Sequence, residues 1–399
     1  MSSTTYRTLL RAPGAAAFFL TAAAGRVGIA MTSLGIVWLV HARTGSYATA
    51  GLVTGGFAVA EAVAGPQLAR LTDRFGQSRI LPPALLAHAA AVAALLSVVA
   101  AGTQDWLMTA AGVLAGATIP QLGALSAARW AALLRDERAA ALPAAFALEA
   151  LANEAAFLAG PALVSILGAS GYPAAGTVLA ATLVVAGGWC FAGQRRTAPP
   201  AAGPAGRHRT GRSLLRPGFA VLVGVNLAIG GFFGAMAISV PAFAAEHGAA
   251  GAAAALFAVS SCASLLSGWL YGLRQWQTAP RVQLAAVAAG LAIGCLPLLA
   301  AGSLLELGSG VALTGLAIPL NLVLCSVLTE AAVDRAVLTQ AFVWLNSASA
   351  AGSAAAAAAA GWAVNTFGAH GGLAVATVAA GLMAMLAVAG LRPGPGRAR

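Results

Sequence analysis

Four ionisable side chains stand in otherwise apolar stretches of the sequence: Arg26, Glu61, Glu149 and Glu154. A charge in such surroundings is costly, so each is either paired for good or works by binding and releasing a proton. Arg26 and Glu154 each lie about 13 residues, or about 20 Å, along their stretches, and equal depth makes them the expected ion pair. Glu149 and Glu154 are five residues apart, about 140° around a helix, and so do not share a face. A carboxylate held by arginine is a poor proton carrier, so with Glu154 taken by Arg26 that role passes to Glu61 and Glu149. The alternative is a permanent structural pair, with Asn153 as a further hydrogen-bonding partner. Asn226, Asn321 and Gln121 could hydrogen-bond a substrate in a cavity, or simply another helix. His88 reads as a packing residue.

Other chemistries are excluded. All 22 basic residues are arginines, so there is no phosphate-loop lysine, no lysine for a pyridoxal Schiff base and no kinase lysine. No Ser/His/Asp, HExxH or Gly-rich phosphate arrangement falls on a suitable element. Cys190, Cys262, Cys295 and Cys325 lack metal-ligand spacing and read as small core-filling side chains. No cofactor is expected.

The elements that carry these residues follow from composition. Of 399 residues 60% are hydrophobic and 8% charged, against about 25% charged in soluble proteins, so hydrocarbon must solvate much of the surface. Stretches of about 20 apolar residues are needed to cross a bilayer, and twelve are present. Six lie at 14–40, 46–69, 80–101, 106–128, 141–168 and 173–194, and six at 217–243, 249–273, 282–301, 303–329, 336–363 and 370–391. With the N-terminus in the cytoplasm, every arginine except Arg26 and Arg43 falls in a cytoplasmic segment, as the positive-inside rule demands. Both termini are then cytoplasmic, and the +11 net charge reflects topology rather than nucleic-acid binding. Trp38, Trp106, Trp130, Trp189 and Trp269 fall at span ends, as an aromatic belt would place them. The Arg-, Pro- and Gly-rich segment 195–216 reads as a linker between bundles 1–194 and 217–399. The halves repeat: Arg138 precedes Gly171 as Arg335 precedes Gly368, and the same offset pairs Glu149 with Asn346.

Between the second and third spans, the run Ala69 to Arg79 reads ARLTDRFGQSR. It resembles the cytoplasmic loop signature G-x-L-x-D-R-x-G-R-[RK] of the major facilitator superfamily, matching at Leu71, Asp73, Arg74 and Gly76. Ala69, Gln77 and Ser78 depart from it. The resemblance implies that Asp73 and Arg74 latch a gate, with Arg129 or the start of the eleventh helix as partner. Gly160-Pro161 in the fifth span is similar to part of a motif of proton-coupled exporters in that superfamily, and is expected to kink the helix where the bundles meet. The fourth-helix arginine of such exporters has no counterpart here. The runs Arg43 to Ser46 and Pro120 to Trp130 resemble actinobacterial members.

The expected fold is an all-α integral membrane protein of twelve transmembrane helices in two pseudo-symmetric six-helix bundles around a cavity. The expected function is proton-driven efflux of a small apolar organic compound across the inner membrane, by a monomer whose partners are protons, substrate and lipid. Proton-coupled uptake of a sugar or other metabolite is the alternative. A non-transporting sensor or scaffold would need a larger soluble part than the linker.

Overall fold

The computed structural model describes residues 6–201, 211–249, 251–274 and 276–391. Arg207, Arg209, Arg392, Arg397 and Arg399, and residues 202–210 of the expected linker, lie outside the described residues. The first six long helices are α1 (Ala15–Thr44), α2 (Tyr47–Phe75), α3 (Gln77–Ala100), α4 (Asp105–Thr118 and Leu122–Leu133), α5 (Leu142–Ala169) and α6 (Pro173–Gly193). The next six are α7 (Pro217–Glu246), α8 (Ala252–Leu273), α9 (Pro280–Leu299), α10 (Leu304–Ala332), α11 (Leu338–Phe367) and α12 (Ala369–Ala389). Eleven are long and apolar enough to cross a membrane. The exception, α11, is 30 residues long, but Gln340, Asn346, Ser347, Ser349 and Ser353 dilute its apolar content. This is a multi-pass membrane protein.

Local chemistry sets the boundaries. Pro173, Pro217 and Pro280 open α6, α7 and α9, where a missing N–H costs nothing. Pro120 biases Ile119 toward extended backbone, and α4 breaks there. Gly76 ends α2 and begins α3 at φ 94°, ψ 141°, a conformation that strains any residue with a Cβ. The repeat seen in the sequence is structural: Arg138 and Arg335 lie in 3-10 turns leading into α5 and α11. Gly171 and Gly368, which follow those helices, both have positive φ.

Helix packing obeys the same internal symmetry. In the first half α1 packs on α5 and α6, α4 on α2 and α3, and α3 on α6. In the second half α7 packs on α11 and α12, α10 on α8 and α9, and α9 on α12. Each pair has its counterpart six helices on. Small residues allow the closest approaches: a side chain on Gly230, Gly234 or Gly352 would collide with backbone across the α7–α11 interface.

The bundles meet through α2 with α11 and α5 with α8, again a symmetric set. Their contacts lie at the end of the molecule that carries both chain ends, the terminal end. Ser347 Oγ donates to the Ala62 carbonyl at 3.0 Å, Val343 lies against Gly65, and the Phe146 and Phe342 rings are 5.8 Å apart. Among the described residues every interbundle hydrogen bond and ring contact lies between this end and mid-depth, so the seam is shut there and unpaired toward the far end.

Two expectations need correction. Trp130 is no interfacial anchor: it is fully buried, edge-on to Phe18 at 4.9 Å, because its side of α4 faces α1. Cys190 and Cys262 are exposed rather than core-filling, as residues facing hydrocarbon can be.

Candidate functional site

Arg26 of α1 is buried and forms its ion pair with Glu149 of α5, not with Glu154. Equal residue count suggested Glu154, but direction around the helix decides, and Glu149 is the acid that α5 turns toward α1 and α4. Arg26 also donates to the Glu149 carbonyl oxygen at 3.0 Å, so it clamps both backbone and side chain. Ser126 of α4 donates to Glu149 Oε1 at 2.6 Å. Gly123, one turn earlier, leaves room for the guanidinium, where a Cβ would stand 3.2 Å from Arg26 Nε. Three helices of one bundle are thereby tied by one charge pair, and nothing in the sequence marked Ser126 as a member.

Among the described residues the other two acids have no arginine partner. Glu61 of α2 accepts from Gln121 Nε2 at 2.7 Å, and the break at Pro120 brings that amide to it. Glu154 lies within interaction reach of the buried Ser264 hydroxyl on α8. Both positions relate to the shut seam in the same way. Glu61 adjoins Ala62, the acceptor of the Ser347 bond. Glu154 is less than one turn beyond Leu151, whose side chain lies against Gly268 of α8. The two carboxylates thus stand where interbundle contact gives way to the unpaired half.

At the terminal end, Asp73 Oδ2 accepts from the backbone N–H of Gln340 at 2.9 Å, on the first turn of α11, where free N–H groups and the helix dipole favour a carboxylate. Arg74 is exposed, its guanidinium 4.5 Å from the Phe75 ring centroid, and it bonds nothing across the seam. Arg129 is fully buried and makes no contact with Asp73. It donates to Gln77 Oε1 at 2.9 Å and to the Gln194 carbonyl and Thr197 Oγ1 at 3.0 Å each, with Phe191 3.7 Å beneath it. Gln77 in turn donates to the Leu125 carbonyl. Gln77, a departure from the loop signature, therefore ties the start of α3 to α4, a role the signature did not suggest.

The remaining expectations fare differently. Asn226 and Asn321 are buried, and each donates to the carbonyl four residues back in its own helix at 2.9 Å. Both amide nitrogens are thus spent on their own helices, while Asn321 Oδ1 is buried without a hydrogen-bond partner among the described residues. Helix α5 runs unbroken through Pro161, and Gly160 lies against Ala30 and Met31 of α1. That contact is inside the first bundle, not between bundles. His88 is buried with Nδ1 3.2 Å from the Ala115 carbonyl. Among the described residues no three His, Cys, Asp or Glu side chains converge as a metal site.

Known structures share this architecture. The human organic anion transporter MFSD10 (TETRAN) is similar at 16% identity and TM-score 0.71, with 93% of this chain and 98% of that one covered. A bacterial homologue of the iron transporter ferroportin in an outward-facing state is similar at 13% identity and TM-score 0.75, covering 94% and 98%. The transporter FucP in the outward conformation gives 15% and 0.68, with the same coverage. No curated protein sequence matches the chain. The family model of the Major Facilitator Superfamily matches residues 16–312, most of the chain, and the protein belongs to that superfamily of transporters.

Proposed function

We propose that this protein exports a small apolar organic compound in exchange for protons, by alternating access. The observation that carries this reading is the placement of Glu61 and Glu154. Among the described residues neither has a cationic partner, and both stand at the boundary between the shut and unpaired parts of the seam. Rocking of the bundles would carry each from one aqueous side toward the other, so that a proton taken up in one state is released in the other. Glu149, committed to Arg26, is the structural acid. With the amide nitrogens of Asn226 and Asn321 spent on their own helices and Gln121 held by Glu61, few polar groups are left to recognise a sugar, which favours an apolar substrate.

The arginine distribution supports a terminal end in the cytoplasm, with both termini inside and the protein spanning the inner membrane. The described conformation is then the outward-facing one, with Asp73 latching α11 and the Arg74 side chain facing solvent. Bundles 1–194 and 217–399 are the moving bodies, 195–216 their connector, and a single chain the working unit.

A second reading, proton-coupled uptake, draws on the fold's likeness to the proton:xylose symporter XylE and the fucose:proton symporter FucP. Everted vesicles energised to an acid interior separate the two. Export predicts that a lipophilic compound collapses the pH gradient with the natural protein and fails to with Glu154→Gln or Glu61→Gln. Collapse that persists in both variants refutes the assigned proton sites, and accumulation of a sugar in whole cells favours uptake.

A further inference from the structure

The residues before α1 cross the seam. A short helix, Tyr6–Leu10, precedes α1 in the chain, and its base is fixed to the first bundle. Leu9 is buried in the core, and Gly14, at φ 80°, turns the chain so tightly beside Thr197 that a Cβ there would stand 2.7 Å from the threonine methyl. The tip, however, grips the second bundle. Tyr6 Oη donates to the Trp269 carbonyl at 2.9 Å and approaches the Gly268 carbonyl at 3.3 Å, both on the last turns of α8. Gly272 makes room for this: a Cβ at that position would run into the Tyr6 phenol and stand 2.8 Å from Ala147 Cβ of α5. The ring is thus wedged at the α5–α8 seam, on the side opposite the Asp73 latch on α11.

We propose that the N-terminal helix is a strap that holds the terminal end shut, with Tyr6 as its hook and Gly272 as the notch that receives it. The inference rests on the alternating-access reading, since α5 and α8 must part at this end in the other state and the hook must then leave its carbonyls. Among the described residues it has no counterpart directly before α7, where residues 211–215 form a 3-10 turn. Burial pushes the Tyr6 hydroxyl up to about 12, so it keeps its proton throughout the physiological range. The strap therefore acts independently of pH, unlike the two seam carboxylates.

The test uses the full-length protein with Cys190 and Cys262 changed to Ser and with Val343→Cys as reporter. Val343 lies on the α2–α11 side of the seam, so its reaction with a maleimide reads bundle opening rather than local loss of the strap. Tyr6→Phe keeps the ring and removes the bond, whose net worth corresponds to a labelling rate raised roughly two- to tenfold. Gly272→Val, which fills the notch, is expected to raise it at least as much. The double variant should gain less than the product of the two, because both act on one contact. The Tyr6→Phe effect should be equal at pH 6 and pH 8. Unchanged labelling in both single variants, with Asp73→Asn still raising it, overturns the strap and leaves alternating access standing. If Asp73→Asn also leaves labelling unchanged, the seam does not open at this end and both readings fall. Tyr6→Phe is conservative enough to keep the test valid should Gly272→Val fail to fold.

Discussion

The pair Arg26–Glu149 gives the sharpest test of how the charges are divided. Both residues are buried, at 6% and 8% exposure, and Glu149 holds the two terminal nitrogens of the arginine through carboxylate and backbone carbonyl. Glu149→Gln preserves volume and leaves Ser126 a side-chain oxygen to bond, but strands the guanidinium. Breaking one partner of a buried pair costs about 3–5 kcal/mol, and about 2.5 kcal/mol is the lower bound for an unpaired arginine at bilayer depth. Replacing both charges, as Arg26→Met with Glu149→Met, removes the stranded charge and is expected to be neutral or mildly stabilising, because the pair no longer pays its own desolvation. The double-mutant cycle should therefore show a coupling of several kcal/mol. Thermal unfolding of the purified protein in detergent, followed by tryptophan fluorescence, reads it. Trp130, fully buried against Phe18 of α1, reports on the same bundle. Additive single and double effects would refute the structural assignment. So would a Glu149→Gln protein as stable as the natural one that had lost only proton coupling, since Glu149 would then be a carrier.

Three further outcomes follow from the geometry. Asp73→Asn loses a charge-assisted bond to the α11 N-terminus and should favour the state open at the terminal end by about 1–2 kcal/mol, or roughly five- to thirtyfold, read as maleimide labelling at Val343→Cys. Gly76→Ala forces a Cβ into φ 94° and should lower stability by about 1–3 kcal/mol, whereas Gly361→Ala, in α11 with open space around it, should be neutral or stabilising; equal melting temperatures would contradict this. The antiparallel register that sets Ala62 by Ser347 and Gly65 by Val343 continues to Gly55 opposite Ala354, both exposed small residues. Gly55→Cys with Ala354→Cys should cross-link under oxidation, and more so with Asp73→Asn; no cross-link in either background would sink that register.

The layout was legible because it depends on sums. Apolar length places the spans, arginine placement orders them, and single residues such as Pro120, Gly76 and Pro217 mark where helices stop and start. The site was less legible because it depends on direction. Counting along the chain put Arg26 level with Glu154, yet the structure pairs it with Glu149, since neighbouring helices select by face and not by depth. Asn226 and Asn321 were illegible for the same reason: a polar side chain in an apolar helix can serve its own backbone, as both amide nitrogens do here, and no periodicity shows which. Trp130 lies near a span end, where a belt is expected, and its burial depends on α1 crossing at that height. Asp73 was legible in part, because an acid at a tight helix-to-helix turn needs N–H groups and the first turn of α11 has them to give.

The division of labour along α5 follows from those faces. Glu149 and Glu154 are five residues apart, and the roughly 140° between them is what sends one into the first bundle and the other to the seam. The first acid ties α1, α4 and α5 together by its bonds to Arg26 and Ser126. A rigid body is what lets the second acid respond to the opposite bundle, because any slack between α5 and α1 would let Glu154 stay beside Ser264 while the rest of the bundle turned. On this argument the buried pair matters to coupling although it carries no proton. Loosening it should slow exchange with little change in the pH at which exchange is half-maximal, whereas Glu154→Gln should abolish the pH dependence itself. A shifted pH profile in the Arg26→Met, Glu149→Met protein, measured in the same vesicles, would show that the two acids are not separable in this way.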